Sequence, residues 1–164
     1  GVTMMNTLLE LLNENAQLTT AQLAVMLNQT EEEVAAAIAQ YEKTGVIKGY
    51  KALIDWDKAP CKTVSALIEL KVTPKRETGF DEIAKQVMMF EEVESVYLMA
   101  GSYDLAVMVK GATIQDIAMF VSQRLSTLDS VLSTATHFVL SRYKDGGVIL
   151  CDDEEKDERR NMLL

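Results

Sequence analysis

The sequence predicts an α+β protein in which a winged helix-turn-helix is followed by a ferredoxin-like βαββαβ domain. Three observations carry that prediction. Apolar residues recur at helical spacing through the first fifty positions. From Val64 onward, alternating and helical runs follow in the order strand, helix, strand, strand, helix, strand. Between the two, residues 55–62 break both patterns and read as a linker with Trp56 available to pack against one of the domains. The expected divisions are residues 1–54, the linker 55–62, the sheet domain 63–145 and an acidic tail 146–164.

Met4, Met5, Leu8, Leu9, Leu11 and Leu12 give the first helix its apolar spacing, which ends at Asn13 to Gln17. Thr19 or Thr20 then caps a second helix over Ala21 to Leu27, with Leu23, Ala24 and Leu27 on one face. Thr30 and Glu33 make the Thr-x-x-Glu pattern of a capping box, whose reciprocal bonds start a third helix. Val34, Ala37, Ile38 and Tyr41 form its packing face, and Gly45 suits its stop. Val46 to Lys48 and Ala52 to Ile54 are read as the short strands of a wing.

In the second domain, Val64, Ala66, Ile68, Leu70 and Val72 alternate as one face of a strand until Thr73-Pro74. Phe80, Ile83, Ala84, Val87 and Met88 return to helical spacing. Val93 to Ala100 and Leu105 to Val109 are strands joined through Gly101-Ser102-Tyr103-Asp104, and the last pair is a helix over Ile114 to Leu125 and a strand over Val131 to Leu140. Four antiparallel strands with helices on one face leave the other face in need of cover, which predicts a dimer. Met88, Met89, Met99, Met108 and Met119 fall on these elements and are read as core packing.

Composition narrows the function. The chain has 164 residues, 48% of them hydrophobic, so a folded rather than disordered protein is expected. Sixteen Lys and Arg against 25 Asp and Glu give a formal charge of −9, which argues against a broadly basic nucleic-acid surface. No run of 18 apolar residues and no basic-then-apolar leader occurs, so no membrane role and a cytoplasmic location are expected. Cys61 and Cys151 lie far apart and His137 is the only histidine, so no metal site or histidine triad is supported. Neither Asp55 with Asp57 nor Glu91, Glu92 and Glu94 has a neighbouring nucleophile or metal-ligand arrangement, so catalysis is not expected. The run from Asp152 to Arg160 reads as a solvated tail, with Arg159, Arg160, Met162, Leu163 and Leu164 as an alternative interaction end.

Four segments in order carry a family resemblance: Leu23-Ala24; Tyr41 to Tyr50, reading YEKTGVIKGY; Ser95 to Asp104, reading SVYLMAGSYD; and Thr134-Ala135-Thr136 with Val139-Leu140 and Tyr143-Lys144. Over about Met4 to Lys144 the sequence resembles the Lrp/AsnC family, the feast-or-famine transcription regulators of bacteria and archaea. The resemblance implies an N-terminal unit that binds double-stranded DNA and a C-terminal domain that senses a small effector, usually an amino acid. It also implies self-association as a dimer, with octameric rings as a further form, and no cofactor.

Carried over by position, Thr30 to Thr44 holds the recognition helix, and Thr20, Gln22, Gln29, Thr30, Gln40, Lys43 and Lys48 are the candidate DNA contacts. The sequence departs from the family here. The outward positions are Glu31, Glu32, Ala35, Ala36, Ala39 and Gln40, and residues 1–50 hold two lysines against six glutamates, a net charge of −4. Phosphate attraction supplies much of DNA affinity, so weak binding is expected. The alternative is an amino-acid-responsive oligomeric adaptor that has lost direct DNA binding, and a small α/β enzyme is a weaker third class.

The effector site implied by the resemblance is the turn Gly101, Ser102, Tyr103 and Asp104, with Thr134, Thr136 and His137 of the last strand as further candidates. A carboxylate at Asp104 suits the amino group of a zwitterion. The plainer alternative is that the turn only joins two strands and the threonines only stabilise a sheet.

Overall fold

The computed structural model describes residues 2–151, with side chains from Thr7 onward. The run from Asp152 to Arg160 and the apolar Met162 to Leu164, read above as a tail, lie outside the described residues, as do the side chains of Met4 and Met5. The chain divides into two compact units, Gly1–Leu53 and Ile54–Leu164.

The first unit holds helices α1 (Val2–Glu14), α2 (Thr20–Leu27) and α3 (Glu31–Lys43). Each of the last two begins with a complete capping box. Thr19 Oγ1 accepts from the Gln22 N–H while Gln22 Oε1 accepts from the Thr19 N–H, at 3.1 and 3.0 Å. Thr30 and Glu33 repeat the exchange, both bonds at 3.1 Å. These reciprocal bonds satisfy donors that the first turn of a helix leaves without intrahelical partners. Asn28 closes α2 in the left-handed conformation (φ 52°, ψ 47°) and donates its N–H back to the carbonyls of Ala24 and Val25. The chain therefore turns tightly into α3. Leu8, Leu12, Leu23, Ala24, Leu27 and Val34 form the core, with Ala37, Ile38, Tyr41 and Ile47 packed on it.

The wing strands expected at Val46–Lys48 and Ala52–Ile54 are not formed. The local bonding explains why. Gly45 takes φ +75° after the C-terminal turn of α3. The Ile47 N–H then donates to the Tyr41 carbonyl at 3.1 Å, and the Tyr50 hydroxyl donates to Glu42 Oε1 at 3.1 Å. The segment is thus bonded back onto α3 instead of pairing in a hairpin.

The second unit is a four-stranded antiparallel sheet in the order β2-β3-β1-β4, built from β1 (Val64–Val72), β2 (Val93–Leu98), β3 (Leu105–Gly111) and β4 (Val131–Phe138). Helix α4 (Asp81–Met88) connects β1 to β2, and α5 (Ile114–Phe120) connects β3 to β4. Alternation puts Ala66, Ile68, Leu70 and Val72 of β1 in the core with Leu105, Val107 and Val109 of β3. Ile83 and Val87 of α4 and Ile117 and Phe120 of α5 cover that face. Each fully buried Leu or Ile contributes about 1.5–3 kcal/mol by leaving water.

Helix α5 continues as a π turn, Val121–Leu125, in which the Ser126 N–H reaches back five residues to the Val121 carbonyl at 2.8 Å. This turn carries Arg124, whose guanidinium lies 4.5 Å from the Phe90 ring and 5.3 Å from the Phe120 ring and pairs with Glu92 at 2.6 Å. The two rings meet edge to face at 5.3 Å.

The methionine reading needs correction. Met88, Met89, Met99 and Met119 are exposed and Met108 is half-buried; Val87, Phe90, Val107, Val109 and Phe120, one step away, fill the core in place of all but Met99, which lies past the end of β2. Beyond β4, Lys144–Asp145 and Val148–Ile149 pair as a small hairpin, β5 and β6. Gly146 and Gly147 supply positive φ (54° and 81°) at both turn positions, as a two-residue hairpin of the primed type requires.

Candidate nucleic-acid interface and effector site

The paired caps define a helix-turn-helix whose second helix, α3, exposes Glu31, Glu32, Ala35, Ala36, Ala39 and Gln40. Of the seven residues proposed to contact DNA, three are engaged in holding this local geometry. Gln22 Oε1 and Thr30 Oγ1 are occupied in the capping boxes, leaving the Gln22 amide group as its outward-facing donor. Gln29 is half-buried in the turn, its N–H bonded to the Ala24 carbonyl at 2.9 Å. Thr20 is half-buried at the start of α2.

Gln40 and Lys43 are exposed along the second half of α3. Lys48 is exposed too, and its ammonium lies against Gly45, where an added Cβ would stand 2.9 Å from Nζ. That position sets a cation by the C-terminal end of α3, where helix carbonyls favour it. Three glutamates occupy the first turn and one lysine the last, so the helix charges suit its own dipole. The cationic groups of this surface therefore cluster at one end of α3.

In the sheet unit, the turn between β2 and β3 is tied to the end of β1. The Asp104 N–H donates to the Leu70 carbonyl at 2.9 Å, and Asp104 Oδ2 accepts from the Val72 N–H at 2.8 Å. The Met99 N–H closes the turn on the Asp104 carbonyl at 2.8 Å. Asp104 and Tyr103 are half-buried, while Gly101 and Ser102 are exposed. The Asp104 carboxylate thus has a structural bond that sequence reasoning missed, since nothing in a Gly-Ser-Tyr-Asp string indicates which neighbouring strand end it meets.

Register separates the three candidates on β4. Leu70 pairs with Leu105 on one side and Thr134 on the other, placing Thr134 at the same end of the sheet as the turn. Thr136 pairs with Ile68, one step further along the same face. His137 pairs with Leu67 and belongs to the opposite, helix-free face, where Nε2 lies 3.3 Å from Glu69 Oε2. Thr134 and His137 therefore project to opposite faces of the sheet.

The helix-free face carries Leu67 and Glu69 of β1, Ala106 and Met108 of β3, Tyr97 of β2, and Ala135 and His137 of β4. Tyr97, on the edge strand β2, is 57% exposed and adds a large ring to this face. Trp56, from the segment preceding β1, sits with its ring 5.9 Å from Lys110 Nζ. No group of three or more potential metal ligands occurs among the described residues, and no helix among them is long and apolar enough to cross a membrane.

Residues 65–149 match the family model of the Lrp/AsnC ligand binding domain. The chain is 49% identical over 151 residues to the HTH-type transcriptional regulator YugG of Bacillus subtilis, covering 91% of each. It is 32% identical over 133 residues to the HTH-type transcriptional regulator LysM of Sulfurisphaera tokodaii, covering 81% of this chain and 90% of that one. Among solved structures, PH0061 superposes with a TM-score of 0.75 at 24% identity, covering 87% of this chain and 94% of that one. The Neisseria meningitidis transcriptional regulator NMB0573, solved as an L-Met complex, gives 0.71 at 21% identity, with coverage of 87% and 91%. At these identities the structural likeness is one of fold. With the ligand-binding domain matched and a relative aligned along nearly the whole length of both proteins, the chain belongs to the Lrp/AsnC family of HTH-type transcriptional regulators.

Proposed function

We propose that this protein regulates transcription as a DNA-binding homo-oligomer whose sheet domain responds to an amino acid. The observation that carries the DNA-binding reading is the pair of capped helices around Asn28, which leaves the outer face of α3 uncovered by its own unit. A helix presented in this way fits the major groove, with Gln40 able to read a base edge and Lys43 and Lys48 placed for phosphates. Ala35, Ala36 and Ala39 permit close approach and apolar contact with thymine methyl groups.

The helix-free sheet face supports self-association. Leu67, Tyr97, Met108 and Ala135 lie on one side of a four-stranded sheet whose other side is packed by helices. A second copy laid on this face by a two-fold axis buries those side chains and fixes the separation of the two helix-turn-helix units. The effector would bind at Gly101–Asp104 with Thr134 nearby, its amino group facing the Asp104 carboxylate. The L-methionine complex of the Neisseria relative supports an amino acid as the chemical class.

The adaptor reading draws support from a separate observation: the first turn of α3 presents Glu31 and Glu32 beside a recognition face without arginine. Footprinting of the full chain on its own upstream DNA, with and without a panel of amino acids, separates the two. A protected site whose extent changes with one amino acid is expected, and uniform cleavage under all conditions contradicts the regulator reading.

A further inference from the structure

We infer that the His137–Glu69 pair makes self-association proton-linked, so that a second copy of this chain docks more tightly at pH 6 than at pH 8. The inference rests on the face-to-face dimer proposed above and specifies how that contact is regulated. His137 is the only histidine in the sequence, and it lies on the face that the second copy covers. Its Nε2 is 3.3 Å from Glu69 Oε2, with side-chain exposures of 57% and 31%. Solvent therefore still reaches both groups in the single chain.

Covering the face removes that solvent. A carboxylate beside a neutral imidazole then loses hydration with only one hydrogen bond in return, whereas a carboxylate beside an imidazolium is desolvated as a neutral pair. The associated state consequently favours the protonated histidine more than the free chain does. The other charged groups on this side are Lys71, two residues along β1, and Lys110 of β3, which is already paired with Glu94 at 3.2 Å. Tyr97 of β2 also lies on this face. Arg142, beyond β4, pairs with Asp145 at 3.6 Å. Imidazole is the side chain whose charge ordinarily changes between pH 5 and 8.

The sign follows from proton uptake. A group that holds its proton more tightly in the associated state favours association below that raised pKa, and the gain is lost as pH rises through it. With one such pair on each copy, a gain of about threefold per site multiplies to about tenfold in the dissociation constant.

Fluorescence-detected sedimentation of the labelled full chain, diluted at pH 6, 7 and 8, reads this directly. A dimer about tenfold tighter at pH 6 than at pH 8 is expected, with the dependence flattened by His137→Gln and by Glu69→Gln. A dimer whose affinity is the same at all three pH values, or a His137→Gln variant that keeps the wild-type dependence, overturns the inference while leaving the dimer intact. Met108→Asp tests the underlying contact separately: it should yield monomers at every pH, and an unaltered dimer overturns the face-to-face reading itself.

Discussion

The carboxylate of Asp104 accepts a 2.8 Å hydrogen bond from the backbone N–H of Val72, at the point where the β1–β4 register shifts between Lys71 and Val72. Pairing of β1 with β3 stops at Leu70–Leu105, so the Val72 N–H on that side has no strand partner, and Asp104 satisfies it. The same residue is the proposed partner of an effector amino group, so its two roles need separate tests. Asp104→Asn retains an oxygen acceptor for Val72 and removes the charge. It should lower amino-acid affinity at least tenfold by calorimetry with little loss of stability, and unchanged affinity rejects the binding role. Asp104→Ala leaves the Val72 donor unpaired and should cost about 1–3 kcal/mol in denaturant unfolding.

The helix-turn-helix depends on its caps. Thr30→Ala removes the Oγ1 acceptor from the Glu33 N–H and should destabilise the first unit by about 1 kcal/mol. Hydrogen exchange should speed up through the first turn of α3 while the sheet core stays protected. Equal acceleration in both units would contradict the assignment of the cap to a local role.

These caps and the sheet order are what the sequence conveys best. Thr-x-x-Glu at Thr30, Thr-x-x-Gln at Thr19 and the alternation Val64 to Val72 each encode one element through contacts a few residues apart. The wing was misread because Val46 to Ile54 has strand-like residues, but strand formation needs a pairing partner that composition does not supply. The methionines were misread because periodicity locates an element without saying which of two adjacent apolar residues faces inward. Gly146-Gly147 between Lys144-Asp145 and Val148-Ile149 carried a hairpin signal inside the segment expected to begin the acidic tail. At the candidate effector site, the Gly-Ser-Tyr-Asp turn was legible, whereas the opposed faces of Thr134 and His137 required the register.

Tyr50 provides a probe of the segment after α3. Partial desolvation, together with its hydrogen bond to Glu42 and the negative charge of that carboxylate, raises the phenol pKa above its usual value. A raised folded-state pKa means that the stabilisation is complete below the unfolded pKa of about 10 and is lost as pH climbs through the folded value. Absorbance at 295 nm should therefore show one late-titrating tyrosine that moves earlier in Glu42→Gln. An unchanged titration curve would place Tyr50 away from Glu42 in solution.

Arg124 fastens the π turn to the start of β2 through two aromatic faces and Glu92. Arg124→Ala should cost about 1 kcal/mol in denaturant unfolding, most of it from the ring contacts, since an ion pair this exposed contributes little. Arg124→Lys should recover less than half of that, because an ammonium cannot stack as a guanidinium does. Full recovery by lysine would show that charge alone is what matters.

In the proposed function an acidic helix-turn-helix still reads DNA. This is tested most directly by the affinity of the full chain for its own upstream DNA and for a scrambled sequence, measured from about 50 to about 200 mM salt. Residues 1–53 contain no arginine and only Lys43, Lys48 and Lys51, so a dimer neutralises at most about six phosphates through these units. The predicted result is preferential binding to the native sequence with a log–log salt slope no steeper than about −5. Equal affinity for the native and scrambled sequences across that range would show that this helix-turn-helix does not read DNA sequence.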